Sequence, residues 1–184
     1  MTEQMDYDAM WREEKPFADR LAWYITKVLK PQKVLDVGCG PGMHVDSLRH
    51  LGVNAWGYDI DDRVQGKTGL IQTSIFDIHE TGDLVMCIEV AEHIPSELND
   101  KIVSSIVNML DHRGILIFTA AIPGQGGVGH INCQPKTFWY EKFTNAGLLP
   151  MNDLTNHMLT YVRQGYHMGW FTQNAQCFMK LGNA

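Results

Sequence analysis

Two carboxylates and an imidazole stand close together in the segment that follows residues 83–88. Glu89, Glu92 and His93 form the pattern Glu-x-x-Glu-His. If residues 89–93 make one helical turn, the three side chains occupy positions i, i+3 and i+4 and share a face. That face could bind a divalent cation, or His93 could serve as a general base that a carboxylate orients. A structural alternative is that Glu92 pairs locally and His93 only lines a wall.

A second histidine, His130, follows the most glycine-rich stretch of the chain, residues 123–129. Glycine at this density is typical of a loop. A lone histidine beside a loop can be structural, but an imidazole can also accept or donate a proton at neutral pH. The two histidines are therefore candidates for proton transfer.

Glycines alternate with other residues at positions 38, 40 and 42, directly after the apolar run 34–37. Without a Cβ atom, each lets the backbone turn sharply and approach a ligand closely. A dinucleotide-binding loop uses related glycines but has two residues before its last glycine, so the spacing here counts against an NAD enzyme. Asp59 ends a later apolar run, where a carboxylate could accept hydrogen bonds from both hydroxyls of a ribose.

The elements that position these residues alternate between β-branched apolar runs and helical patterns. Such alternation predicts a parallel sheet with helices on both faces, which is an α/β fold. Ser96 is expected to be the N-cap of the helix before the fifth strand, and Gly114 to separate that helix from the strand. The predicted strands are 33–37, 54–58, 70–75, 83–88, 115–119, 148–154 and 175–181, and the predicted helical segments are 7–30, 43–51, 97–110 and 135–146.

Length and composition restrict the class of protein. A chain of 184 residues with 45% hydrophobic content can bury one substantial core, so we expect a single domain over 1–184. The net charge of −6 lacks the basic excess that long nucleic acids require. No apolar run is long enough to span a bilayer and the N-terminus opens with acids, so we expect a cytoplasmic protein without a membrane partner. The four cysteines are scattered and are expected to be reduced thiols.

Residues 34–42 resemble the first motif of the class I S-adenosylmethionine-dependent methyltransferases, in which a glycine loop packs against the methionine part of the cofactor. Residues 83–94 resemble the fourth motif in its Glu-x-x-Glu-His version. This version occurs in ubiquinone-biosynthesis O-methyltransferases and in small-molecule and sugar methyltransferases. It also occurs in small-RNA 2′-O-methyltransferases, where these residues and a later His hold a metal. The resemblance covers residues 33–149 and implies a Rossmann-like, doubly wound, mostly parallel seven-stranded sheet with helices on both faces.

The resemblance also implies a set of site residues. S-adenosylmethionine is the implied cofactor, and a divalent metal is left open but not favoured, so no residue is assigned as a metal ligand. Ser74 stands where relatives often carry an acid beside the adenine, and the backbone N–H of Ile75 or Phe76 could make that contact instead. The implied catalytic residues, which wall the acceptor pocket, are Glu89, His93 and His130. The implied cofactor contacts are Asp36, Gly38, Cys39, Gly40, Gly42, Asp59, Ile60, Ser74, Ile75, Phe76 and Glu89.

Within the single domain we expect a helical cap at 1–31, a cofactor-binding core at 33–119 and an acceptor-side region at 120–184. The last region would include an insertion at 155–173 between the final two strands. Its aromatic side chains could cover the sheet edge or form a lid over a ring-shaped acceptor. These side chains are His157, Tyr161, Tyr166, His167, Trp170 and Phe171.

Together these features predict an enzyme that transfers a methyl group from S-adenosylmethionine to a small-molecule or glycan acceptor. Oxygen is favoured over nitrogen as the nucleophile, because a hydroxyl must lose its proton and a histidine could accept it. The alternatives are a non-catalytic S-adenosylmethionine-binding protein and a metal-dependent RNA-end 2′-O-methyltransferase. The sequence predicts no oligomeric state.

Overall fold

Strands and helices alternate along most of the chain in the computed structural model, which describes residues 6–165 and 168–182. The strands are β1 (Val34–Val37), β2 (Ala55–Asp59), β3 (Leu70–Gln72), β4 (Gly82–Ile88), β5 (Leu110–Thr119), β6 (Leu148–Pro150) and β7 (Gln176–Lys180). The α-helices are α1 (Tyr7–Tyr24), α2 (Met43–His50), α3 (Asn99–Met109), α4 (Lys136–Asn145), α5 (Asn152–Arg163) and α6 (Gly169–Asn174).

All seven strands belong to one sheet with the order β3-β2-β1-β4-β5-β7-β6. The first five strands of the chain pair in parallel, and β7 runs antiparallel to both β5 and β6. The strand order changes direction between β1 and β4, and open α/β sheets bind their ligands in the crevice at such a point, outside the carboxyl ends of the strands. The predicted Rossmann-like, mostly parallel, seven-stranded fold is confirmed.

Helices cover both faces of this sheet, as the burial of alternate strand residues shows. Val34 and Ile117 belong to one apolar cluster, whereas their neighbours Leu35 and Leu116 belong to another. Successive side chains of a strand point to opposite faces, so the two clusters lie on opposite sides of the sheet. The first cluster contains residues of α1, α2, α5 and α6, and the second contains residues of α3 and α4.

The N-terminal segment is helical from Tyr7 to Leu29. Asp6 caps α1 by accepting hydrogen bonds from the backbone N–H groups of Asp8 and Ala9. A π-helical turn, Ile25–Leu29, continues α1, and Lys30 ends it in a left-handed conformation. The prediction of helix up to Pro31 therefore holds for the described residues, while residues 1–5 of the predicted cap lie outside them.

The predicted third strand, 70–75, is too long at its carboxyl end. β3 stops at Gln72, and Ser74 caps a 3-10 turn, Ile75–Asp77, by accepting a hydrogen bond from the Phe76 N–H at 3.3 Å. Serine competes in this way with the backbone partners that a strand would use. Ile75 therefore lies in a turn at the strand exit.

The boundary between α3 and β5 also differs from the prediction. Ser96 begins a 3-10 turn and caps no helix, since α3 starts at Asn99. β5 starts at Leu110, directly after α3, so Gly114 lies inside the strand. A Cβ atom on Gly114 would come within 2.9 Å of the Asp111 carbonyl oxygen, so glycine allows the strand to bend here.

Residues 152–163 and 169–174 are helical, which corrects the prediction of a strand at 148–154. β6 ends at Pro150, and α5 buries Thr155, Met158, Leu159 and Val162 at helical spacing. Of the aromatic residues of the predicted insertion, Phe171 is buried against the α1 side chain Phe17, with 4.8 Å between the ring centroids, whereas Tyr166 and His167 lie outside the described residues.

Among the residues that the structure describes, no helix has both the length and the apolar character needed to cross a lipid bilayer. The expected cytoplasmic location and the boundaries of the three regions within the domain stay predictions.

Candidate active site

The glycine loop after β1 leaves one open space. Gly38, Gly40 and Gly42 all have positive φ angles, of 71°, 53° and 89°. A Cβ atom on Gly38 would overlap Val90, and one on Gly42 would come within 2.6 Å of Leu70 Cδ1, whereas one on Gly40 would meet no atom within 4 Å. Gly38 and Gly42 are thus required by packing as well as by backbone conformation. At Gly40 the absent side chain leaves room for a ligand.

Asp59 ties the end of β2 to this loop. Its Oδ2 accepts the Gly40 N–H at 2.7 Å, and its Oδ1 accepts the Asp61 N–H at 2.9 Å. The carboxylate is half-buried, and the next side chain, Ile60, is 74% exposed. An acid so placed beside the open loop can accept further hydrogen bonds from a ribose.

Asp36 is a buried acid next to the loop and is 2% exposed. Its Oδ2 has no hydrogen-bond partner within the described residues. Burial, and then repulsion from Asp59, raises the pKa of Asp36 to about 7. An unpartnered buried carboxylate oxygen fits a ligand that carries a cationic group, such as the ammonium of S-adenosylmethionine.

We expect Asp36→Asn to stabilise the ligand-free protein more at about pH 8.5 than at about pH 5.5. The pKa of about 7 in the folded state exceeds the ordinary value of 3.8, so the folded protein binds this proton more tightly than the unfolded chain. Folded-state stability therefore falls as the pH rises from about 4 to about 7, by up to about 4 kcal/mol, and the penalty persists above that range. Denaturant unfolding of both proteins at the two pH values measures the effect, and an equal difference at both would contradict it.

The residues predicted to contact adenine lie at the exit of β3. Ser74, Ile75 and Phe76 are half-buried, and the Phe76 N–H already donates to Ser74 Oγ. The Phe76 ring lies 4.3 Å from Lys101 Nζ. Cys39, in the glycine loop, is 5% exposed, and burial raises the pKa of its thiol well above the usual range. The Cys39 thiol is therefore neutral, and its predicted contact with the cofactor stays a prediction.

Glu89 begins the turn after β4 in a left-handed conformation, with φ of 53°. The expectation of a single helical turn over 89–93 is wrong, since only Ala91–His93 forms a 3-10 turn. The Glu89 carboxylate accepts hydrogen bonds from Gln125 Nε2 at 2.6 Å and from Asn174 Nδ2 at 3.4 Å. Strained backbone of this kind persists where surrounding contacts enforce it, often at functional sites.

Glu92 is 0% exposed and anchors the site from within. Its Oε1 accepts the Ala121 N–H at 3.1 Å, and its backbone oxygen accepts the N–H groups of Ile131 and Asn132. Its Oε2 has no partner in the described part of the chain. Burial, and then the charge of Glu89, raises the pKa of Glu92 to about 8. Burial thus disfavours the ionised form of Glu92 unless a ligand compensates its charge.

His93 and His130 lie side by side, with ring centroids 5.0 Å apart. His93 Nδ1 lies 3.2 Å from the Gly129 carbonyl oxygen, and His130 Nδ1 lies 3.3 Å from the Gln125 carbonyl oxygen. Carbonyl oxygens only accept hydrogen bonds, so each Nδ1 carries a proton, and a ring in its neutral form then keeps its lone pair on Nε2. Burial, and then the neighbouring His130, lowers the pKa of His93, so this ring is neutral at pH 7.

Three of these side chains could together hold a cation. One ligand atom each from Glu92, His93 and His130 lies within 4.8 Å of the others. Glu89 is not one of these three, and its carboxylate accepts hydrogen bonds from Gln125 and Asn174 while its charge acts on the neighbouring Glu92. The structure thus brings the predicted Glu89, His93 and His130 together at one sheet edge.

Several residues of the site are not among those that the sequence predicts. Gln125 and Asn174 hold Glu89, and they also bond to each other at 2.8 Å. Gly127 has room only for a hydrogen atom, since a Cβ atom there would overlap the His130 ring. Glu14, on α1, is half-buried and lies close enough to Glu89 for the two charges to interact. Of these residues, only Gln125 and Gly127 have a sequence signal, because they lie in the glycine-rich stretch that precedes His130.

Solved structures with the same fold include methyltransferases. An S-adenosylmethionine-dependent methyltransferase from Archaeoglobus fulgidus superposes with a TM-score of 0.65 at 15% identity, over 95% of this chain and 100% of that one. The sugar N-methyltransferase KedS8 from Streptoalloteichus sp. ATCC 53650 gives a TM-score of 0.66 at 14% identity, over 99% and 95% of the two chains. Together with the glycine loop, the strand-end acid and the sheet order, this defines the class I S-adenosylmethionine-dependent methyltransferase fold.

Sequence comparison leads to the family. A family model for a methyltransferase domain matches residues 7–152, and the chain belongs to this family of S-adenosylmethionine-dependent methyltransferases. The ubiquinone biosynthesis O-methyltransferase of Actinobacillus pleuropneumoniae is 28% identical over 183 residues, spanning 79% of this chain and 76% of that protein. The Burkholderia multivorans enzyme of the same name is 30% identical over 127 residues, or 58% of this chain and 54% of that protein. The chain thus spans about half the length of some of the relatives that it matches.

Proposed function

We propose that the protein methylates a hydroxyl group of a small-molecule or glycan acceptor. The observation that carries this proposal is the neutral imidazole of His93. Its unprotonated Nε2 lies at the carboxyl edge of the sheet, where the glycine loop also lies. The relatives named for ubiquinone biosynthesis and for sugar methylation support an acceptor of small size. A hydroxyl nucleophile must lose a proton during the transfer and gains from a nearby base, whereas a neutral amine gains little.

The residues around the glycine loop fit S-adenosylmethionine. When bound, this cofactor supplies an electrophilic methyl group on a positively charged sulfur. The open space at Gly40 would receive its methionine part, the Asp59 carboxylate would accept hydrogen bonds from its ribose, and the unpartnered Asp36 oxygen would face its ammonium group.

His93 is suited to the proton transfer that an alcohol acceptor requires. The Gly129 carbonyl holds the proton on Nδ1, which leaves Nε2 to take the hydroxyl proton as the oxygen attacks. Its lowered pKa keeps the ring unprotonated at neutral pH. An amine that is already neutral would gain little from this arrangement, and we therefore propose oxygen as the nucleophile. Much of the acceleration would come from positioning, which the loop at 123–132 provides through its contacts with Glu89 and Glu92.

A second candidate mechanism uses a divalent cation to activate the hydroxyl. The group formed by Glu92, His93 and His130 supports it, since one carboxylate and two imidazoles suit a divalent transition metal. A metal-dependent transfer to an RNA-end 2′-hydroxyl would use the same group. We keep the metal-free base as the main proposal, because the lowered pKa of His93 already leaves its Nε2 free to accept a proton at neutral pH.

Asp59→Ala is expected to weaken S-adenosylhomocysteine binding by about tenfold or more. Hydrogen bonds to a charged group contribute roughly 1.5–3 kcal/mol, and every 1.4 kcal/mol is a factor of about ten. Isothermal titration calorimetry measures the effect. The matched control is Asp62→Ala, which removes an exposed acid three positions further along and should leave the affinity unchanged. Equal affinity of parent and Asp59→Ala would assign the ribose contact to another acid.

A further inference from the structure

The N-terminal helix brings an additional carboxylate to the acceptor side of the site. One turn after Glu14, the α1 side chain Phe17 packs against Trp170 and Phe171 of α6, with ring centroids 5.8 and 4.8 Å apart. α6 ends at Asn174, whose amide donates to Glu89. Glu14 itself is half-buried, and the charge of Glu89 acts on it. α1, α6 and the exit of β4 therefore converge around Glu14 and Glu89.

The polar atoms around this point are hydrogen-bond acceptors that lack donors. Asn174 Oδ1 and Glu92 Oε2 are both buried without a hydrogen-bond partner in the described part of the chain. The Glu14 side chain, which is half-buried, has no hydrogen bond or ion pair among the same residues. An amide oxygen and an ionised carboxylate only accept hydrogen bonds, and such atoms are costly to bury without a partner. A ligand group that donates hydrogen bonds would therefore satisfy the two buried atoms.

The charges around this point favour a ligand group that also carries positive charge. Within the described residues, no lysine or arginine forms an ion pair with Glu14, Glu89 or Glu92, and Glu92 Oε1 lies 4.0 Å from His130 Nε2, which is a cation only when protonated. Lys15, the nearest basic residue along the chain, pairs with Asp19 and Asp46 instead. Burial, and then repulsion from Glu89, raises the pKa of Glu14 to about 7. Uncompensated acids in a shared site favour a cationic partner.

We propose that the methyl acceptor carries a protonated amine, which binds between Glu14 and Glu89 while its hydroxyl lies near His93. The inference rests on the proposed function, since it describes the acceptor of the same site. An ammonium group offers several N–H donors and a full positive charge, so it supplies both the hydrogen-bond donors and the positive charge that this point lacks. A metal ion would bind instead at Glu92, His93 and His130, a group that excludes Glu14 and Glu89.

Benzylammonium and benzyl alcohol are suitable probes, because they differ in the charged group and share the ring. Calorimetry would measure both against the full-length protein saturated with S-adenosylhomocysteine, in the presence of EDTA. We expect benzylammonium to bind at least about tenfold more tightly than benzyl alcohol. We expect Glu14→Gln to remove this preference, and Glu13→Gln, an exposed acid at the next position of the same helix, to retain it.

Two results of these binding measurements would overturn the inference. If benzylammonium shows no detectable binding or binds no better than benzyl alcohol, the inference is overturned. It is also overturned if Glu14→Gln keeps the preference while still binding S-adenosylhomocysteine, which reports that the variant is folded. Failure of the parent protein to bind S-adenosylhomocysteine would instead overturn the proposed function, so the two failures are distinguishable.

Discussion

His93→Ala is expected to lower kcat by about 10²- to 10⁴-fold, the usual contribution of a positioned general base. Affinity for S-adenosylhomocysteine should stay the same, because His93 lies at the exit of β4 and contacts the loop after β5 rather than the glycine loop. Turnover would be followed as S-adenosylhomocysteine release, using the first acceptor that the parent methylates from a panel of ring alcohols and amino sugars. Calorimetry of the same variant supplies the binding measurement.

The matched control is His79→Ala, which removes an exposed histidine and should change neither quantity. EDTA separates the base from the cation mechanism. Turnover that EDTA abolishes and a divalent cation restores would favour the metal group, and His130→Ala would then be as damaging as His93→Ala, since both rings belong to that group. Unaffected turnover in EDTA favours the metal-free base. A His93→Ala enzyme that is as fast as the parent would contradict both mechanisms.

The parts of the site that the sequence predicts are those that depend on short-range pattern. β1 is buried along its whole length, so its apolar run is visible as a strand, and the glycines directly after it are adjacent in sequence. Asp59 and Glu89 likewise end recognisable runs. Because the carboxyl ends of parallel strands meet at one edge, the gathering of these residues follows from the topology.

Long-range contacts explain what the sequence does not predict. Asn174 and Glu89 are 85 residues apart along the chain, and only the antiparallel return of β7 brings them together. The left-handed backbone of Glu89 has no local signal either, since it depends on the Thr119 hydroxyl and carbonyl that accept the Glu89 N–H. The sequence predicts a strand at the start of α5 for a different reason, because the apolar residues there are interspersed with polar ones that also suit a short strand.

Acids that form no ion pair with a lysine or arginine of the described residues lie on both the cofactor side and the acceptor side of the site. Asp36 lies beside the glycine loop, Glu92 lies next to His93 and His130, and Glu14 lies on α1. Each has a pKa raised chiefly by burial, which means that ionisation costs folded-state stability until a positive group arrives. Proteins commonly lose some folding stability at the positions that bind a ligand. The pattern is consistent with a site that holds a cationic cofactor and, as proposed above, a cationic acceptor.

Gly40→Ala is expected to weaken S-adenosylhomocysteine binding by about tenfold to hundredfold. The added methyl group would meet no protein atom within 4 Å, so any loss beyond backbone strain must come from the space that the ligand occupies. Overpacking a well-fitted contact by one methyl group costs about 1–3 kcal/mol, which corresponds to this range of affinity.

Backbone strain can be separated from ligand exclusion with a matched glycine. Gly52, after α2, also has a positive φ, of 83°, and a Cβ atom there would likewise meet nothing within 4 Å. Both alanine variants should therefore lose a similar free energy of unfolding, about 1–2 kcal/mol, through the left-handed conformation. Only Gly40→Ala should also lose affinity, because Gly52 lies at the opposite end of α2 from the loop. If the two variants bind S-adenosylhomocysteine equally well, the open space at Gly40 is not where the cofactor lies, and the assignment of the loop must be revised.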